Sequence, residues 1–212
     1  MEFIKRIFDI VTALFLLALV WPVLVTCAVL VKLSSPGPVF YRGVRTGRFG
    51  KPFRIFKFRS MRTDAEQTGG TTTGENDPRI TGIGHVLRKY KIDELPQLFN
   101  VLLGDMSFVG PRPEVAEYTD AYTDEERQIL AVRPGITDLA CLEFSDLQEH
   151  VGEEDPDEAY RQRILPRKNA LRLKYAREQS LALDVEILGK TAALVLSKPF
   201  RKRKPNGVRK AA

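Results

Sequence analysis

Two adjacent carboxylates, Asp93 and Glu94, are the side chains of this sequence best placed to do chemistry. They stand directly before residues 95–103, whose apolar positions recur at helical spacing. One carboxylate can hold a magnesium ion, because magnesium usually binds one or two carboxylates together with phosphate oxygens. The other can attack phosphorus and form an acyl phosphate if it lies in line with the bond that breaks. The pair is therefore a candidate site for phosphoryl chemistry.

A structural explanation of the acid pair stays open. Acids in the first turn of a helix interact favourably with the helix dipole, and Pro96 suits that turn. Glu94 and Gln97 also have the spacing of a capping box, and Gly104 would end the helix. On spacing alone, the two acids could serve only to start the helix.

Positive charge is concentrated in the region around the acid pair. Residues 40–113 carry 13 lysines and arginines against 7 acids, whereas residues 114–160 carry 15 acids and two arginines. The candidate anion-binding residues of the first region are Lys57, Arg59, Arg79, Arg88 and Arg112. Arginine matches phosphate oxygens with two parallel N–H donors. Each of these residues alone would be an ordinary ion-pairing surface residue. Together with the acids and an apolar N-terminus, they favour a pyrophosphate-containing substrate.

The N-terminal segment that must position this region is long and apolar. No charged residue occurs from Ile10 to Val31, and these 22 residues would extend roughly 33 Å as a helix, enough to cross a bilayer. Bases precede the segment at Lys5 and Arg6 and follow it at Lys32, so both ends favour the cytoplasmic side. Trp21-Pro22 lies near its middle, where proline kinks a helix. We predict a re-entrant helix–break–helix hairpin in one leaflet; a single spanning helix that tolerates the proline is the alternative.

The net charge of +6 comes from the C-terminus. Residues 198–212 hold seven bases and no acid, which leaves 26 bases against 27 acids in the rest of the chain. This nearly neutral body argues against general nucleic-acid binding. The basic tail indicates either contact with anionic lipid or simply a solvated terminus.

Cysteine and histidine are too few for several other kinds of site. Cys27 lies in the apolar segment, far in sequence from Cys141, so we expect no disulfide framework and a reducing, cytoplasmic setting. His85 and His150 are the only histidines, and no Cys/His spacing resembles a zinc site. With only two histidines in the sequence, a histidine-based catalytic triad is not favoured.

The remaining pattern predicts an α+β, predominantly helical fold. Residues 39–41 and 53–59 alternate as strands around a glycine-rich turn, which indicates a short β-hairpin. Helices are expected at residues 86–90, 95–103, 121–130, 157–180 and 183–197. The predicted units are a membrane hairpin at 1–36, a compact cytosolic domain with interfacial amphipathic helices at 37–197, and a flexible basic tail at 198–212.

Seven short motifs occur in order along the chain. They are Lys57-Phe58-Arg59-Ser60-Met61, Asp77-Pro78-Arg79-Ile80-Thr81, Leu87-Arg88, Asp93-Glu94-Leu95-Pro96-Gln97-Leu98, Gly104-Asp105-Met106-Ser107, Val109-Gly110-Pro111-Arg112-Pro113 and Arg133-Pro134-Gly135-Ile136-Thr137. In these motifs the chain resembles the small monotopic phosphoglycosyl transferases of the bacterial sugar transferase family. The resemblance extends from the Pro22 region to about residue 197, which makes it specific.

The resemblance implies a reaction and residue roles. Such enzymes transfer a sugar-1-phosphate from a UDP-sugar to polyprenyl (undecaprenyl) phosphate with release of UMP. They work at the cytoplasmic face of the bacterial inner membrane and begin glycoconjugate or polysaccharide assembly. By resemblance, Asp93 would be the nucleophile that forms a covalent sugar-phosphate intermediate, and Glu94, with Asp93 beside it, would bind Mg²⁺. The substrate-binding candidates are Lys57, Arg59, Arg88, Pro111, Arg112, Pro113 and Arg133.

Two other functions fit parts of the same sequence. A membrane-anchored lipid-binding or scaffold protein would depend on the basic tail and not on the acid pair. A membrane hydrolase of nucleotide sugars would use the acid pair with water in place of the lipid acceptor. The sequence leaves the sugar, the exact lipid and the oligomeric state open.

Overall fold

The computed structural model of the protein describes residues 2–65, 68, 77–144, 158 and 160–197. Its α-helices in chain order are α1 (Glu2–Ser34), α2 (Gly82–Lys89), α3 (Gln97–Leu103), α4 (Ala116–Thr119), α5 (Leu139–Glu143), α6 (Leu165–Glu178) and α7 (Leu181–Ser197). Its strands are β1 (Phe40–Tyr41), β2 (Val44–Thr46), β3 (Pro52–Arg54), β4 (Lys57–Phe58), β5 (Ser107–Val109) and β6 (Gly135–Thr137). A mainly helical body with short strands agrees with the predicted α+β class.

The N-terminal segment forms one uninterrupted helix, which corrects the predicted helix–break–helix element. Helix α1 has 33 residues, and Pro22 lies inside it. Proline removes a single amide donor, so the hydrogen-bond ladder can resume on both sides. Thr26 Oγ1 donates a hydrogen bond of 2.8 Å to the Pro22 carbonyl oxygen. Trp21 and Pro22 therefore do not end a helix. By length and composition α1 could cross a membrane, and its entry and exit through one leaflet stays a prediction.

One face of α1 packs on the rest of the protein along most of the helix. The residues of this face are buried or partly buried and recur at helical spacing: Lys5, Asp9, Ala13, Leu16, Leu17, Val20, Leu24, Cys27, Ala28 and Val31. The other face is apolar and exposed, with Phe3 76%, Phe15 67% and Trp21 60% exposed. Both ends of α1 thus contact the same body, and its free face has the composition of a surface that meets lipid.

Buried charges fix the N-terminal end of α1. Lys5 Nζ lies 2.5 Å from Asp184 Oδ2 of α7 and 3.1 Å from the Val109 carbonyl oxygen of β5. The Tyr175 hydroxyl of α6 donates to Asp184 Oδ1 at 2.6 Å. Asp9 Oδ1 accepts hydrogen bonds from two donors in β5 at 3.0 and 3.2 Å. These contacts join α1 to β5, α6 and α7.

The predicted β-hairpin is confirmed and extends from β1 to β4. Strand β1 pairs with β4 and β2 pairs with β3, both antiparallel, with Phe40 opposite Phe58. The rings of these two residues stack with centroids 5.5 Å apart. Between the two pairs, the Ile55 amide donates to the Gly43 carbonyl oxygen at 3.0 Å, which keeps the hairpin closed. The hairpin brings Lys57 of β4 to the acid pair.

A parallel pair of strands, β5 and β6, was not predicted from the sequence. Ser107 lies opposite Gly135 and Val109 opposite Thr137, and Val109 packs in the main apolar core with residues of α1, α3 and α7. A Cβ atom on Gly135 would lie 2.1 Å from the Gly110 amide nitrogen, so this approach requires glycine. The pair places the loops that follow β5 and β6 side by side.

Helices α2, α3, α6 and α7 lie where four helices were predicted from the sequence. The prediction of a helix at 121–130 was wrong: α4 ends before this segment, at Thr119, and the segment itself contains a 3₁₀ turn at Glu126–Ala131. Thr123 and Glu126 make the reciprocal hydrogen bonds of a capping box, which starts a turn at this point and not at residue 121. The basic tail predicted at 198–212 lies outside the described residues.

Candidate active site

The acid pair lies in a single 3₁₀ turn, Ile92–Glu94, between α2 and α3. Lys91, just before the turn, has a left-handed backbone with a φ of 58°. No side chain makes a capping hydrogen bond at the start of this turn or at Pro96, the residue just before α3. The capping box of the structural alternative is therefore not formed. Both carboxylates instead contact cationic side chains.

Asp93 is a buried carboxylate with one unpartnered oxygen. The residue is 4% exposed, its Oδ2 lies 3.6 Å from Lys57 Nζ, and its Oδ1 is buried without a hydrogen-bond partner. Burial raises the pKa of Asp93, Lys57 opposes that rise, and the charge of Glu94 adds to it. A desolvated carboxylate in contact with a lysine, with an oxygen free to react, has the features of a functional acid.

Glu94 is held ionised by two cations. Arg112 Nη1 donates to Glu94 Oε2 at 3.1 Å, Arg112 Nη2 donates to Oε1, and Lys57 Nζ donates to Oε1 at 3.0 Å. Burial opposes ionisation, but the attraction of Arg112 and Lys57 outweighs it and holds the pKa of Glu94 well below its usual range. Glu94 in turn raises the pKa of Arg112. The two acids thus differ in character, since burial dominates at Asp93 and ion pairing at Glu94.

Arg112 reaches Glu94 from the loop that follows β5. Its backbone amide donates to Asp138 Oδ2 at 2.9 Å, and the Gly135 amide donates to the Pro111 carbonyl oxygen at 3.0 Å. Pro111 and the following proline of the loop, Pro113, are both buried. The parallel strands, the two prolines and Asp138 together fix the direction in which Arg112 leaves the loop.

Arg88 is a cation near the acid pair that is not already paired. It lies in the last turn of α2, is half-buried, and its charge helps to lower the pKa of Asp93. Among the described residues it forms no hydrogen bond or ion pair. Its guanidinium therefore has all of its donors available for a phosphate.

Three of the basic residues selected from the sequence make no ion pair with either acid. Arg59 is 5% exposed, and its Nη2 donates to the Ser35 and Val31 carbonyl oxygens at 2.7 and 3.2 Å, so it binds the C-terminal end of α1. Arg79 forms an ion pair with Asp77 at 2.6 Å. Arg133 is half-buried in the loop before β6 and, within the described part of the chain, makes no side-chain hydrogen bond. The structure brings together Lys57, Asp93, Glu94 and Arg112, with Arg88 close by.

A buried ionic network behind Arg112 was missed from the sequence. Arg172 of α6 is 1% exposed; its Nη2 lies 2.7 Å from Glu114 Oε1 and its Nε 3.6 Å from Asp138 Oδ2. Tyr160 also donates to Glu114 Oε1, at 2.7 Å. Asp138 directly follows the last of the seven motifs and could have been noticed there. Arg172 carries no local signal, because its partners come from a distant part of the chain.

The acid pair could supply one or two ligands to a magnesium ion whose other ligands are substrate phosphate oxygens and water. No three His, Cys, Asp or Glu residues converge anywhere in the described ranges, so the protein alone does not offer a complete cation cage there. Asp93 Oδ1 is an unused buried oxygen, whereas both oxygens of the ionised Glu94 already accept hydrogen bonds from Arg112 and Lys57, so a cation at Glu94 would share it with these bases. Magnesium commonly accepts one or two carboxylates and completes its shell with phosphate oxygens and water. The donor set is compatible with that arrangement.

Comparison with known proteins gives one family for nearly the whole chain. The profile of the family described as bacterial sugar transferase matches residues 1–198. The UDP-glucose:undecaprenyl-phosphate glucose-1-phosphate transferase of Escherichia coli is 41% identical over 192 residues, which cover 87% of this chain and 38% of that protein. The enzyme of the same name from Caulobacter vibrioides is 38% identical over 196 residues, covering 91% of this chain and 70% of that protein.

A third relative acts on another sugar, according to its name. The UDP-N-acetylgalactosamine-undecaprenyl-phosphate N-acetylgalactosaminephosphotransferase of Aeromonas hydrophila is 42% identical over 200 residues, covering 92% of this chain and 44% of that protein. The chain therefore spans less than half the length of two of these three relatives. Their identities to this chain differ little, so overall similarity does not distinguish glucose from N-acetylgalactosamine.

Proposed function

Because the chain belongs to the bacterial sugar transferase family, we propose that it moves a sugar-1-phosphate from a UDP-sugar to undecaprenyl phosphate and releases UMP. The observation that carries the proposal is the arrangement around the acid pair. Asp93 is buried with a free oxygen, next to a glutamate that Arg112 and Lys57 hold ionised. The named relatives act on undecaprenyl phosphate and different UDP-sugars, which supports the reaction type and leaves the sugar open.

In the first step the Asp93 carboxylate attacks the β-phosphorus of the UDP-sugar. A bond forms between the Asp93 oxygen and phosphorus, and the bond from that phosphorus to the UMP oxygen breaks, with its electron pair leaving on UMP. The product is a sugar-phosphoryl aspartate. Lys57 and Arg88 favour this step because both lower the pKa of Asp93 and so favour the nucleophilic, ionised form.

Negative charge from the donor must be neutralised as UMP departs. Arg88 has unused donors for the pyrophosphate, and Lys57 already lies between the two acids. Bound Mg²⁺, held by Glu94 with Asp93 beside it, would supply further neutralisation of phosphate charge. Arg112 keeps Glu94 ionised and oriented for that role.

In the second step a phosphate oxygen of undecaprenyl phosphate attacks the phosphorus of the intermediate. A new phosphorus–oxygen bond joins the lipid phosphate to the sugar phosphate, and Asp93 leaves as a free carboxylate. Because UMP has already departed, the lipid phosphate can occupy the same cationic site. A two-step route therefore allows one set of residues to serve a soluble donor and a membrane-bound acceptor.

The arrangement of α1 supports action from one side of the membrane. Lys5 near its start and Val31 near its end both contact the body that carries the acid pair. A polar body that contacts α1 along most of its length favours a helix held in one leaflet, with the exposed face that includes Phe15 in lipid. We place the site at the cytoplasmic face of the bacterial inner membrane, where the donor and the lipid phosphate meet.

UMP release across a panel of UDP-sugars, with Mg²⁺ and with or without undecaprenyl phosphate, tests the proposal. We expect release with at least one donor, sustained turnover only with the lipid, and loss of both in Asp93→Asn, whose amide cannot attack phosphorus. Sustained release without the lipid would indicate a hydrolase. Full activity of Asp93→Asn in a pure sample would remove Asp93 from the mechanism. Lipid binding without turnover of any UDP-sugar would favour a scaffold protein.

A further inference from the structure

The turn that joins β2 to β3 carries an exposed aromatic ring that the transfer reaction does not use. Phe49 is 65% exposed and has a left-handed backbone, with φ 58° and ψ 28°. Bulky residues rarely adopt this conformation, because Cβ comes close to a neighbouring carbonyl oxygen. An exposed phenyl ring at a strained position contributes nothing to the core. It therefore indicates a role outside the fold.

The turn holds this ring in a defined place. The Gly47 amide donates to the Lys51 carbonyl oxygen at 2.8 Å, and the Lys51 amide donates to the Arg48 carbonyl oxygen at 3.2 Å. Arg48 Nε donates to the Ala131 carbonyl oxygen at 2.9 Å, and the Arg48 guanidinium lies 4.5 Å from the Phe49 ring centroid. These contacts tie the tip of the hairpin to the body and orient the ring beside a cation.

The hairpin around Phe49 is strongly cationic. Its five bases occur without an intervening acid and are Arg42, Arg45, Arg48, Lys51 and Arg54. Within the part of the chain that the structure describes, only Arg48 of these five forms an ion pair, and Lys51 and Arg54 are exposed. Anionic lipid headgroups attract such clusters, and aromatic rings favour the interface between headgroups and acyl chains.

The position of the tip links it to the apolar face of α1. Arg48 pairs with Glu2, the first residue of α1. The outward face of α1 begins one residue later with Phe3, which is 76% exposed. Phe49 therefore continues the surface that already has the composition of a lipid contact. A soluble partner protein would not require this continuity.

We infer that the turn at residues 47–51 is a second contact with the membrane, separate from α1. Phe49 enters the interfacial layer, while Lys51 and Arg54 contact phosphates of anionic lipids. This one assignment explains the strained backbone of Phe49, the bases without acidic partners among the described residues and the position of the turn beside the start of α1. It does not depend on the proposed transfer reaction.

Tryptophan fluorescence in the full chain tests this assignment. Phe49→Trp is made together with Trp21→Phe, because Trp21 is the only native tryptophan. The protein is placed in nanodiscs of phosphatidylcholine with or without phosphatidylglycerol, using lipids brominated close to the headgroup as quenchers. We expect the introduced tryptophan to be quenched and blue-shifted, more strongly with phosphatidylglycerol. Adding Lys51→Ala and Arg54→Ala removes two surface bases and should lower the preference for phosphatidylglycerol by about tenfold or more.

Two controls give the measurement its scale. Trp21 in the unaltered chain reports whether α1 contacts lipid. Ala121→Trp, in the Trp21→Phe background, places the probe at an exposed position in the acidic part of the chain and should show no quenching. Quenching of Phe49→Trp no greater than that of Ala121→Trp, with Trp21 quenched, would overturn the assignment. So would a spectral change that follows protein concentration and not lipid, because that indicates a second copy. UMP release on the same nanodiscs reports on the transfer reaction separately.

Discussion

Replacing Arg172 by methionine should strongly destabilise the protein. Arg172 is 1% exposed and lies 2.7 Å from Glu114 Oε1 and 3.6 Å from Asp138 Oδ2. Methionine keeps an apolar stem of similar shape but removes the guanidinium that pairs with both acids. The side chain of Glu114 is 15% exposed and that of Asp138 is fully buried, so water replaces the lost contacts poorly. The variant therefore leaves two buried charges undercompensated.

The size of the effect follows from that geometry. Removing one partner of a buried ion pair costs about 3–5 kcal/mol. Tyr160 still donates to Glu114 and the Arg112 amide still donates to Asp138, which places the expected cost near the lower end. For a chain of this size each kcal/mol lowers Tm by about 2–4 °C. We therefore expect Tm to fall by roughly 6–12 °C. The corresponding loss is a large share of the free energy of unfolding, which is usually about 5–15 kcal/mol.

Thermal unfolding in detergent, followed by near-ultraviolet circular dichroism at one scan rate, measures this change. Arg177→Met is the matched control, because it lies on the same helix and pairs with Glu125 at side-chain exposures of 49% and 63%. Exposed pairs contribute about 0–1 kcal/mol, so its Tm should move little. Equal Tm values for the Arg172 and Arg177 variants would refute the reasoning. In the Arg172 variant, activity below Tm should also fall, because Asp138 holds the Arg112 loop.

Three other changes test separate parts of the account. Burial raises the pKa of Asp93, and the charge of Lys57 opposes that rise. Lys57→Gln should therefore raise the pKa of Asp93 further and move the acid limb of the pH–rate profile to higher pH. An acid limb that stays in place or moves to lower pH would contradict the assignment. Pro22→Ala should convert one-sided access of cysteines flanking α1 to two-sided access in intact cells, and unchanged labelling would mean that Pro22 does not keep α1 in one leaflet. Removing residues 198–212 should leave UMP release in detergent nearly unchanged, since the cluster of Lys57, Asp93, Glu94 and Arg112 forms entirely among the described residues; a collapse of the rate would show that the tail supports the fold.

Local patterns predicted the elements that local chemistry determines. The glycine-rich segment and its alternating flanks predicted the hairpin from β1 to β4, and Gly104 ends α3 with a φ of +93° as its position indicated. The acid pair and Arg112 could be selected from residue type and motif alone. Their mutual contact required the hairpin and the loop after β5 to meet, which the sequence does not state.

The features that the sequence did not predict depend on contacts distant in sequence. Proline at position 22 bends or ends a helix depending on what packs against it, and here α1 continues because its inner face is supported on both sides of Pro22. The parallel pair of β5 and β6 has strands of three residues, too short to show a period. Arg59 resembled a phosphate ligand by type, yet its guanidinium binds the end of α1. Spacing could not separate these two uses of a buried arginine.

The most direct test of the central claim is the mass of the protein after it meets a donor without an acceptor. Wild-type protein and Asp93→Asn are mixed with Mg²⁺ and an active UDP-sugar in the absence of undecaprenyl phosphate, quenched in acid and measured as intact chains. The account predicts a mass increase of one sugar phosphate in the wild type, located on the peptide that contains Asp93 and absent from the variant, together with about one UMP per protein. Rapid lipid-dependent UMP release by a wild type that never gains this mass, or the same mass gain in Asp93→Asn, would contradict it.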